Sequence, residues 1–310
     1  MEKEIITDIN SLNKYLLKID KIFPINDLLN KNIDKKNIIS YYDKSSYGYK
    51  FFHSKEGSVH MAINYDGIFN EEGYLTQAKE ISSLINVDST THILELGCGK
   101  GFNSIFLAKQ FPDIQFQGID ITHKHLSIAN KKAKHLENVK FVYGDFHNLE
   151  FDDSTFDLIF EVAATCYAYN IKNVLEGVYA KLKKNGIFIL YDGFRLSGFD
   201  QLPEDIKKAA ILTEKSMAVN NSAEIDDWLK AATQTGFKVK SCENISQAIM
   251  PNLARFQKLA RAYFKYPSLS KFLRAFLPRE MLMNSIAGLL MPFTVHNGAQ
   301  GYYKIVLEKG

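Results

Sequence analysis

Between positions 91 and 192, short apolar runs alternate with segments of helical periodicity, and this alternation constrains the fold more than any other feature of the chain. Strands that alternate with helices are typical of α/β proteins with a parallel sheet. The alternation predicts strands at 92–97, 114–120, 140–145, 156–161 and 187–193, and helices at 102–111, 123–136 and 171–186. The last helix carries lysines in its final turn, and a glycine at position 186 predicts its end.

Two further strands are predicted beyond this region, at 237–245 and 301–310, after a helix at 224–236. Residues 246–300 separate the two strands and are helical in pattern, so we interpret them as a lid inserted into the terminal hairpin. The predicted fold class is therefore α/β, a doubly wound, Rossmann-like, seven-stranded sheet with an N-terminal helical cap and a helical lid between its last two strands. The predicted divisions are a cap (1–75), a core (76–245), a lid (246–300) and the last core strand (301–310).

The composition is that of a globular protein, with 46% hydrophobic and 24% charged residues in a chain of 310. A net charge of +3 gives no indication of a nucleic-acid partner. The three cysteines, Cys98, Cys166 and Cys242, form no CxxC pair and fit a reduced, cytoplasmic protein. The polar start, MEKEIITDIN, is unlike a secretory signal, and the longest mostly apolar run, 286–293, is short for a membrane span. We therefore expect a soluble protein.

The stretch ILELGCGKGFNS joins the first predicted strand to the next helix. Its glycines let the backbone turn sharply and approach a ligand closely: Gly97, Gly99 and Gly101. A dinucleotide fingerprint is the main alternative, but Phe102 occupies the position of its third glycine. Glu95 ends the strand, where a carboxylate would repel a pyrophosphate and suit a cationic ligand.

Asp120 ends the second strand and can hold ribose hydroxyls, and the sequence GDF at 144–146 follows the third strand. A cation combined with a ribose indicates S-adenosylmethionine, which carries a sulfonium and an ammonium. A tight strand–helix turn with surface acids is the plainer interpretation, and a nucleotide-dependent oxidoreductase is the competing function.

Residues 91–193 resemble the class I S-adenosylmethionine-dependent methyltransferases in the order of these features. The resemblance implies that Glu95 lies near the methionine moiety, that Asp120 binds the ribose, and that Asp145 and Phe146 border the adenine. The three glycines belong to the same predicted cofactor site, and its remaining members are Tyr42, Ile121 and Glu161.

The stretch FEVAATCYAYN (160–170) has small residues where the fourth strand would reach the ligand crevice, which leaves room for a methyl acceptor. It resembles the EATCHA segment of the sterol C-methyltransferases, and SVHMA (58–62) resembles their SFHFA. The region around MPF (291–293) is similar to the tocopherol methyltransferases. Ala163 and Tyr167 depart from the sterol enzymes, which have glutamate and histidine there, so the departures concern the acceptor.

An alkene acceptor would give a carbocation, which aromatic faces can stabilise. The cluster at 41–52 suits that role or packs the cap onto the sheet: Tyr41, Tyr42, Tyr47, Tyr49, Phe51 and Phe52. His60 and Tyr167 are the candidate catalytic residues for proton handling, although each also fits a purely structural place. His123, His125 and His135 share one predicted helix, and we interpret them as surface residues, with no metal site.

The predicted lid is rich in cations, including Arg255, Lys258, Arg261 and Lys265 on one helix. This helix either caps the core with a solvated basic side or contacts an anionic membrane peripherally.

The leading hypothesis is a methyltransferase that acts on a lipophilic, isoprenoid- or sterol-like small molecule, at carbon. The alternatives are O- or N-methylation of a natural product or lipid headgroup, and a non-catalytic descendant that keeps the cofactor site. RNA methylation is disfavoured because the fourth strand carries no NPPY-like motif.

Overall fold

The structure is a computed structural model that describes residues 5–310, with the side chains of all of these except Tyr47, Lys50 and Phe51. The predicted aromatic roles of Tyr47 and Phe51 therefore lie outside the described residues. Within this part of the chain, seven strands form one sheet: β1 His92–Leu96, β2 Gln115–Asp120, β3 Val139–Tyr143, β4 Phe156–Val162, β5 Leu182–Arg195, β6 Phe237–Asn244 and β7 Gln300–Lys309.

The strands lie in the order β3-β2-β1-β4-β5-β7-β6. Strands β1 to β5 run parallel, and β7 is antiparallel to both of its neighbours, β5 and β6. The order reverses at β1, so the crevice between the carboxyl ends of β1 and β4 is where such a sheet binds ligands. The predicted doubly wound, seven-stranded α/β fold is confirmed.

The described helices cover both faces of the sheet and its carboxyl edge: α1 Ile9–Asp20, α2 Ile25–Leu29, α3 Lys35–Gly48, α4 Thr76–Ser82, α5 Phe102–Gln110, α6 His123–Ala133, α7 Ile171–Lys181, α8 Glu204–Ser216, α9 Ile225–Thr235, α10 Ser246–Tyr263, α11 Pro267–Arg274 and α12 Arg279–His296. Short segments of tighter or wider helix lie at Tyr49–His53, Glu71–Leu75, Thr165–Tyr167 and Phe199–Gln201.

Alternate residues of the central strands enter two apolar cores, one on each face of the sheet. Ile93 of β1 packs with α4, α5 and α6, whereas its neighbour Leu94 packs with α7 and α9. Helices α1, α2, α8 and α12 form a third apolar cluster, which includes Phe23, Ile206 and Phe293. This cluster makes a helical layer, and the residues that line the cavities place it over the carboxyl ends of the strands.

Helix α7 ends at Lys181, five residues before the predicted stop at Gly186. Leu182 is fully buried and pairs with Phe156. The residues predicted to form the last helical turn therefore belong to β5. The pairing then shifts register, and Lys183 forms an ion pair with Asp157 over 2.8 Å. Tertiary packing therefore overrides the local helix-stop signal.

Helices α10, α11 and α12 follow β6 and precede β7, as the predicted lid requires. The exact division of the chain into cap, core, lid and last strand stays a prediction. Helix α8 occupies a region in which the sequence predicted no element. No helix in residues 5–310 combines the length and the apolar character that a membrane span requires.

Candidate functional site

Four acidic residues lie buried at the carboxyl ends of neighbouring parallel strands. They are Glu95 in β1, Asp120 in β2, Glu161 in β4 and Asp192 in β5. Parallel strands end at the same edge, so the pattern gathers four carboxyl groups around one crevice. Buried carboxylates favour a positively charged ligand group.

The first cavity at this edge has a volume of about 440 Å³. It is lined by the ends of β1, β2 and β3, the loop after β4 and the start of α3. Of the residues predicted to bind the cofactor, those in its wall are Tyr42, Gly97, Gly99, Asp120, Ile121, Asp145 and Phe146. Glu95, Gly101 and Glu161 are buried and do not line this cavity.

The glycines of the β1–α5 loop serve two different purposes. Gly97 and Gly99 have φ of 64° and 53°, the left-handed region that favours glycine, and line the cavity. A Cβ on Gly97 would lie 2.6 Å from the Cβ of Ala164, so only glycine allows this approach. A Cβ on Gly101 would instead lie 2.7 Å from Phe141, so Gly101 lets α5 pack on the sheet.

Asp120 holds the glycine loop as well as facing the cavity. One of its carboxylate oxygens accepts the N–H of Gly99 over 2.9 Å, and the other accepts the N–H of Thr122 over 2.7 Å. Burial acts to raise the pKa of Asp120, but His125 and these two N–H groups together hold that pKa below its ordinary value. The carboxylate is therefore ionised at neutral pH.

His125 was predicted to lie on the surface, and that prediction is wrong. Its side chain is only 3% exposed, lines the first cavity and lies with Nδ1 3.9 Å from the carboxylate of Asp120. Helix α6 buries its Leu126, Ala129 and Ala133 face against the sheet, and His125 extends that face. His123 and His135 are exposed, as predicted.

Glu95 connects β1 to the first turn of α5. Its carboxylate accepts from Asn103 Nδ2 over 3.1 Å and from the N–H and hydroxyl of Ser104 over 3.2 and 2.5 Å. Burial raises the pKa of Glu95 to about 7. A cationic ligand nearby would favour the ionised form. The predicted proximity of Glu95 to the methionine moiety stays a prediction.

Asp145 anchors the other end of the first cavity. Its side chain accepts from His147 Nδ1 over 2.8 Å and from Lys35 Nζ over 2.7 Å. Hydrogen bonds from His147 and Lys35 hold the pKa of Asp145 well below its usual range. The ring of His147 stacks on Tyr169 with 3.8 Å between centroids. Lys35, His147 and Tyr169 all line the cavity, and the sequence analysis did not identify them.

A second cavity of about 570 Å³ adjoins the first. Its walls come from α3, α8, α10, α12 and the end of β5, and most of the side chains that line it are apolar or aromatic. Five residues line both cavities, and we call them the junction: Tyr42, Val59, Ala163, Cys166 and Tyr167. A ligand in either cavity can therefore contact the same side chains as a ligand in the other.

The hydroxyl groups of the described cap tyrosines are hydrogen-bonded within the protein. Tyr42 donates to Tyr167 over 3.0 Å, and Tyr167 donates to the carbonyl of Met217 over 3.1 Å. Tyr41 donates to Asn284 Oδ1 over 2.5 Å, and its hydroxyl lies 2.8 Å from that of Tyr49. Burial raises the pKa of all four phenols, that of Tyr49 to about 12. They stay neutral, and their side chains line the second cavity.

His60 lies in the wall of the second cavity. Its Nδ1 is 3.2 Å from the carbonyl of Met61, and its Nε2 has no hydrogen-bond partner within the described part of the chain. Burial lowers the pKa of His60 to about 4, so the ring is neutral. The predicted catalytic roles of His60 and Tyr167 stay predictions.

Glu161 and Asp192 are bridged by one hydroxyl group. Thr165 Oγ1 lies 3.0 Å from Glu161 Oε1 and 3.2 Å from Asp192 Oδ2. The N–H of Ala164 donates to Glu161, and the N–H of Cys166 donates to Asp192, each over 2.7 Å. Burial raises the pKa of Glu161 well above its ordinary value and that of Asp192 to about 6.

Asp192 lines the second cavity and was not among the predicted site residues. The available signal was its position, because it lies near the carboxyl end of the fifth strand, as Asp120 lies at the end of the second. Within residues 5–310, the histidine, cysteine, aspartate and glutamate side chains form no group of three that could hold a metal ion.

The first cavity fits the predicted cofactor. An ionised Asp120 suits a ribose diol, Ile121 and Phe146 suit an adenine, and the glycine loop would admit a close backbone contact. Asp120, ionised and in the cavity wall, and the neighbouring buried acid Glu95 suit a ligand that carries positive charge, as S-adenosylmethionine does.

Comparisons with known proteins agree with this fit. Residues 87–195 match the family described as "Methyltransferase domain". Sterol 24-C-methyltransferase of Kluyveromyces lactis is 29% identical over 150 residues, which are 47% of this chain and 40% of that protein. The chain thus covers less than half the length of this curated relative.

Two solved structures extend the likeness beyond the matched domain. A cyclopropane synthase from Mycobacterium tuberculosis has a TM-score of 0.72 at 13% identity, covering 90% of this chain and 100% of the other. A geranyl diphosphate C-methyltransferase from Streptomyces coelicolor, solved with Mg²⁺, geranyl diphosphate and S-adenosyl-L-homocysteine, has a TM-score of 0.62 at 12% identity, covering 87% and 98%. At these identities the likeness shows the fold. Together with the family match, it confirms the predicted resemblance to class I methyltransferases.

Proposed function

Residues 87–195 are a class I S-adenosylmethionine-dependent methyltransferase domain, and from this premise we propose that the protein methylates a lipophilic, isoprenoid- or sterol-like small molecule at carbon. The observation that carries the proposal is the junction, where a cofactor-sized cavity and an apolar, aromatic cavity share Tyr42, Ala163 and Tyr167. Methyl transfer needs donor and acceptor held in line at contact distance, and adjoining cavities supply that arrangement.

The second cavity supports a lipophilic acceptor. Its volume of about 570 Å³ lies in the usual range for small-molecule sites. The hydroxyl groups of the tyrosines that line it are satisfied within the protein, so these side chains offer ring faces to a ligand. The printed names of the relatives supply the acceptor classes, since one acts on a sterol and another on geranyl diphosphate.

When bound, S-adenosylmethionine supplies a methyl group on a positively charged sulfur. The acceptor's alkene would form a bond to the methyl carbon while the sulfur–methyl bond breaks, and its electrons remain on sulfur. The neighbouring acceptor carbon becomes cationic, and the aromatic rings of Tyr42 and Tyr167, which line the second cavity, would stabilise the charge. Loss of a proton from an adjacent carbon then gives a new alkene.

We propose Asp192 as the base that takes this proton, because its carboxyl group is the acid of the strand-end set that lines the second cavity. The single proton of the Thr165 hydroxyl can be donated to only one of its two carboxyl neighbours. We assign it to Asp192, so Glu161 must be protonated and donate to Thr165 Oγ1. The pair then carries one negative charge, and that charge lies on Asp192.

The test is transfer of isotope-labelled methyl from S-adenosylmethionine to a panel of acceptors. The panel contains a sterol with a side-chain alkene, an acyclic isoprenoid alkene, a prenylated phenol and an ethanolamine headgroup. We expect label on carbon of an alkene acceptor, with the double bond shifted or a proton lost. Label on oxygen or nitrogen would contradict carbon methylation and support O- or N-methylation instead. The absence of label with every acceptor would contradict the whole proposal.

Such acceptors reside in membranes, so we also propose that the protein works in the cytoplasm with peripheral contact to an anionic membrane. The mildly basic composition and the cation-rich segment around α11 support this.

A further inference from the structure

Large apolar side chains are concentrated on the surface around α11. Four lie close together in sequence and are more than half exposed, namely Tyr266 at 58%, Leu269 at 55%, Phe272 at 62% and Phe276 at 71%. Leu269 and Phe272 lie one turn apart on α11, and the ring of Phe276, in the following turn, lies 4.9 Å from that of Phe272. Single exposed apolar residues are ordinary, but a contiguous group marks an interaction site.

This surface is continuous with the second cavity. Leu273 and Leu277, on the neighbouring face of the same segment, line the cavity, and Leu277 is still 38% exposed. Leu259 of α10 and Phe52 also line the cavity and are 42% and 54% exposed. These three partly exposed side chains, Phe52, Leu259 and Leu277, mark the opening through which the cavity reaches the protein surface.

The charge around the opening is predominantly positive, and the acid that follows Arg279, Glu280, is paired with Lys44 over 2.9 Å. Between positions 258 and 279 the sequence contains six lysines and arginines and no aspartate or glutamate: Lys258, Arg261, Lys265, Lys271, Arg274 and Arg279. Lys265, Lys271 and Arg279 are exposed and flank the aromatic residues. Aromatic side chains surrounded by cations suit the boundary between the headgroups and acyl chains of an anionic bilayer.

Helix α10, which the sequence singled out as the basic helix, is less suited to this role. Arg255 is partly buried, and its guanidinium lies over the rings of Phe69 and Phe256 at 5.1 and 5.4 Å. Its positive charge is therefore in contact with aromatic rings of the protein itself. The exposed apolar side chains that a bilayer would cover lie mainly on α11 and on the turn that follows it.

We propose that α11 and the turn to α12 dock on an anionic lipid bilayer, and that the acceptor passes from the bilayer into the second cavity between Phe52, Leu259 and Leu277. The entry route rests on the proposed function, whereas the docking surface is independent of it. Phe272 and Phe276 enter the acyl boundary, and Lys265 and Lys271 meet the phosphate groups.

The docking test uses the full chain without cofactor or acceptor. We expect cosedimentation with vesicles of phosphatidylglycerol and phosphatidylcholine, and weaker binding to pure phosphatidylcholine or at high salt. The double variant F272S/F276S should lose about tenfold or more in vesicle affinity. The matched control is L17S/V87S, which removes two apolar side chains that are 67% and 65% exposed elsewhere. It should bind as the unmodified protein does.

Three results would overturn the docking surface. They are an absence of vesicle binding, equal binding by F272S/F276S, and a dimer in solution that F272S/F276S dissociates, since the dimer would assign the face to a second copy. A Lys265→Glu/Lys271→Glu variant separates the charge from the apolar contribution and should lose the preference for phosphatidylglycerol. Unchanged melting temperatures show that the variants fold.

A methyl-transfer assay tests the entry route separately from the proposed function. With acceptor embedded in vesicles, F272S/F276S should lose about tenfold in kcat/KM, because the acceptor is delivered from the bilayer. With the same acceptor dissolved in detergent, its rate should equal that of the unmodified protein. Equal losses in both settings would overturn the entry route, and an absence of transfer in both by the unmodified protein would contradict only the proposed function.

Discussion

The hydroxyl of Tyr42 donates to that of Tyr167 over 3.0 Å, and this bond joins α3 of the cap to the loop after β4. It lies at the junction of the two cavities, so the cap completes both. Both phenols have raised pKa values because they are buried, so they stay neutral and no phenolate is present to take a proton. Their ring faces are the more useful part of these side chains for a cationic transition state.

Changing Tyr167 separates the ring from the hydroxyl. We expect Tyr167→Phe to keep kcat within about threefold, because the ring face remains, and to lose about 1 kcal/mol of stability with its hydrogen bonds. Tyr167→Leu should lower kcat by about thirtyfold, since a desolvated cation–π contact contributes about 2 kcal/mol. Single-turnover methyl transfer measures the rate of both variants. A large loss in Tyr167→Phe would instead support proton handling by the hydroxyl.

Replacing the carboxyl group by an amide should have different effects at Asp192 and at Glu161. We expect Asp192→Asn to lower kcat by about a hundredfold or more, the usual contribution of a general base. Glu161→Gln mimics a protonated carboxyl group, since its amide can still donate to Thr165, and should keep kcat within about threefold. The affinity for S-adenosylhomocysteine, measured by calorimetry, should change little in both. Equal losses in the two variants would contradict the assigned protonation states.

The rate of methyl transfer should depend on pH through the same pair. A base acts when ionised, and burial raises the pKa of Asp192 to about 6, so kcat should rise with pH through about 6 and then level off. The profile is measured at saturating substrates, and Glu161→Gln should retain its shape. A rate that falls as pH rises through this range would exclude Asp192 as the base.

The pKa of Asp192 also predicts the sign of a stability change. The folded protein keeps this proton up to a pH of about 6, whereas the unfolded chain releases it near the ordinary aspartate value of about 4. Stability is therefore lost as pH rises through this window and does not recover above it. Urea unfolding at several pH values should show a shallower decline for Asp192→Asn than for the unmodified protein.

The cofactor site can be tested through Asp120. Asp120→Ala removes the acceptor of the Gly99 and Thr122 N–H groups, so the glycine loop loses its anchor. Hydrogen bonds to a charged group contribute about 1.5–3 kcal/mol each, which predicts a loss of about a hundredfold in S-adenosylhomocysteine affinity. Asp113→Asn, at an exposed acid before β2, is the control and should bind normally. Unchanged affinity in Asp120→Ala would exclude Asp120 from the site.

Two glycines with a similar positive φ, of which one is crowded and one is not, allow backbone strain to be separated from a steric clash of the added Cβ. Gly97 and Gly298 have φ of 64° and 73°, but a Cβ on Gly298 would meet open space. Gly298→Ala should cost about 1 kcal/mol of unfolding free energy, and Gly97→Ala about 1–3 kcal/mol more. Adding Ala164→Gly should recover part of the second loss, because Ala164 supplies the clashing Cβ. Equal costs for the two alanine variants would refute the crowding.

The hydrophobic periodicity of the sequence was sufficient to predict the strands of the sheet, because it depends only on residues that are close together in the chain. Each predicted strand of the core overlaps an observed one, Gly97 directly follows β1, and Asp120 is the last residue of β2. The end of α7 was missed because Leu182 is withdrawn from the helix by its pairing with Phe156. Helix α8 was missed because its buried face packs on α12, which is distant in sequence.

The second cavity could be predicted only in part. Tyr42, His60 and Tyr167 were identified, but the contribution of Asp192 depends on which face of β5 the cap covers. The burial of His125 was readable from its spacing to Ala129 and Ala133, one and two turns along the helix. Exposure of Phe272 and Phe276 was not readable, because apolar residues at helical spacing are usually core.

The insertion of α10–α12 leaves the sheet and returns to it at neighbouring points, since Asn244 of β6 pairs with Tyr303 of β7. Its two ends are thus held at a fixed separation, whatever the helices between them do. During divergence, such a segment can lengthen, shorten or exchange its side chains without shifting the glycine loop or Asp120. A lineage could in this way acquire a new acceptor while inheriting the methyl donor site intact.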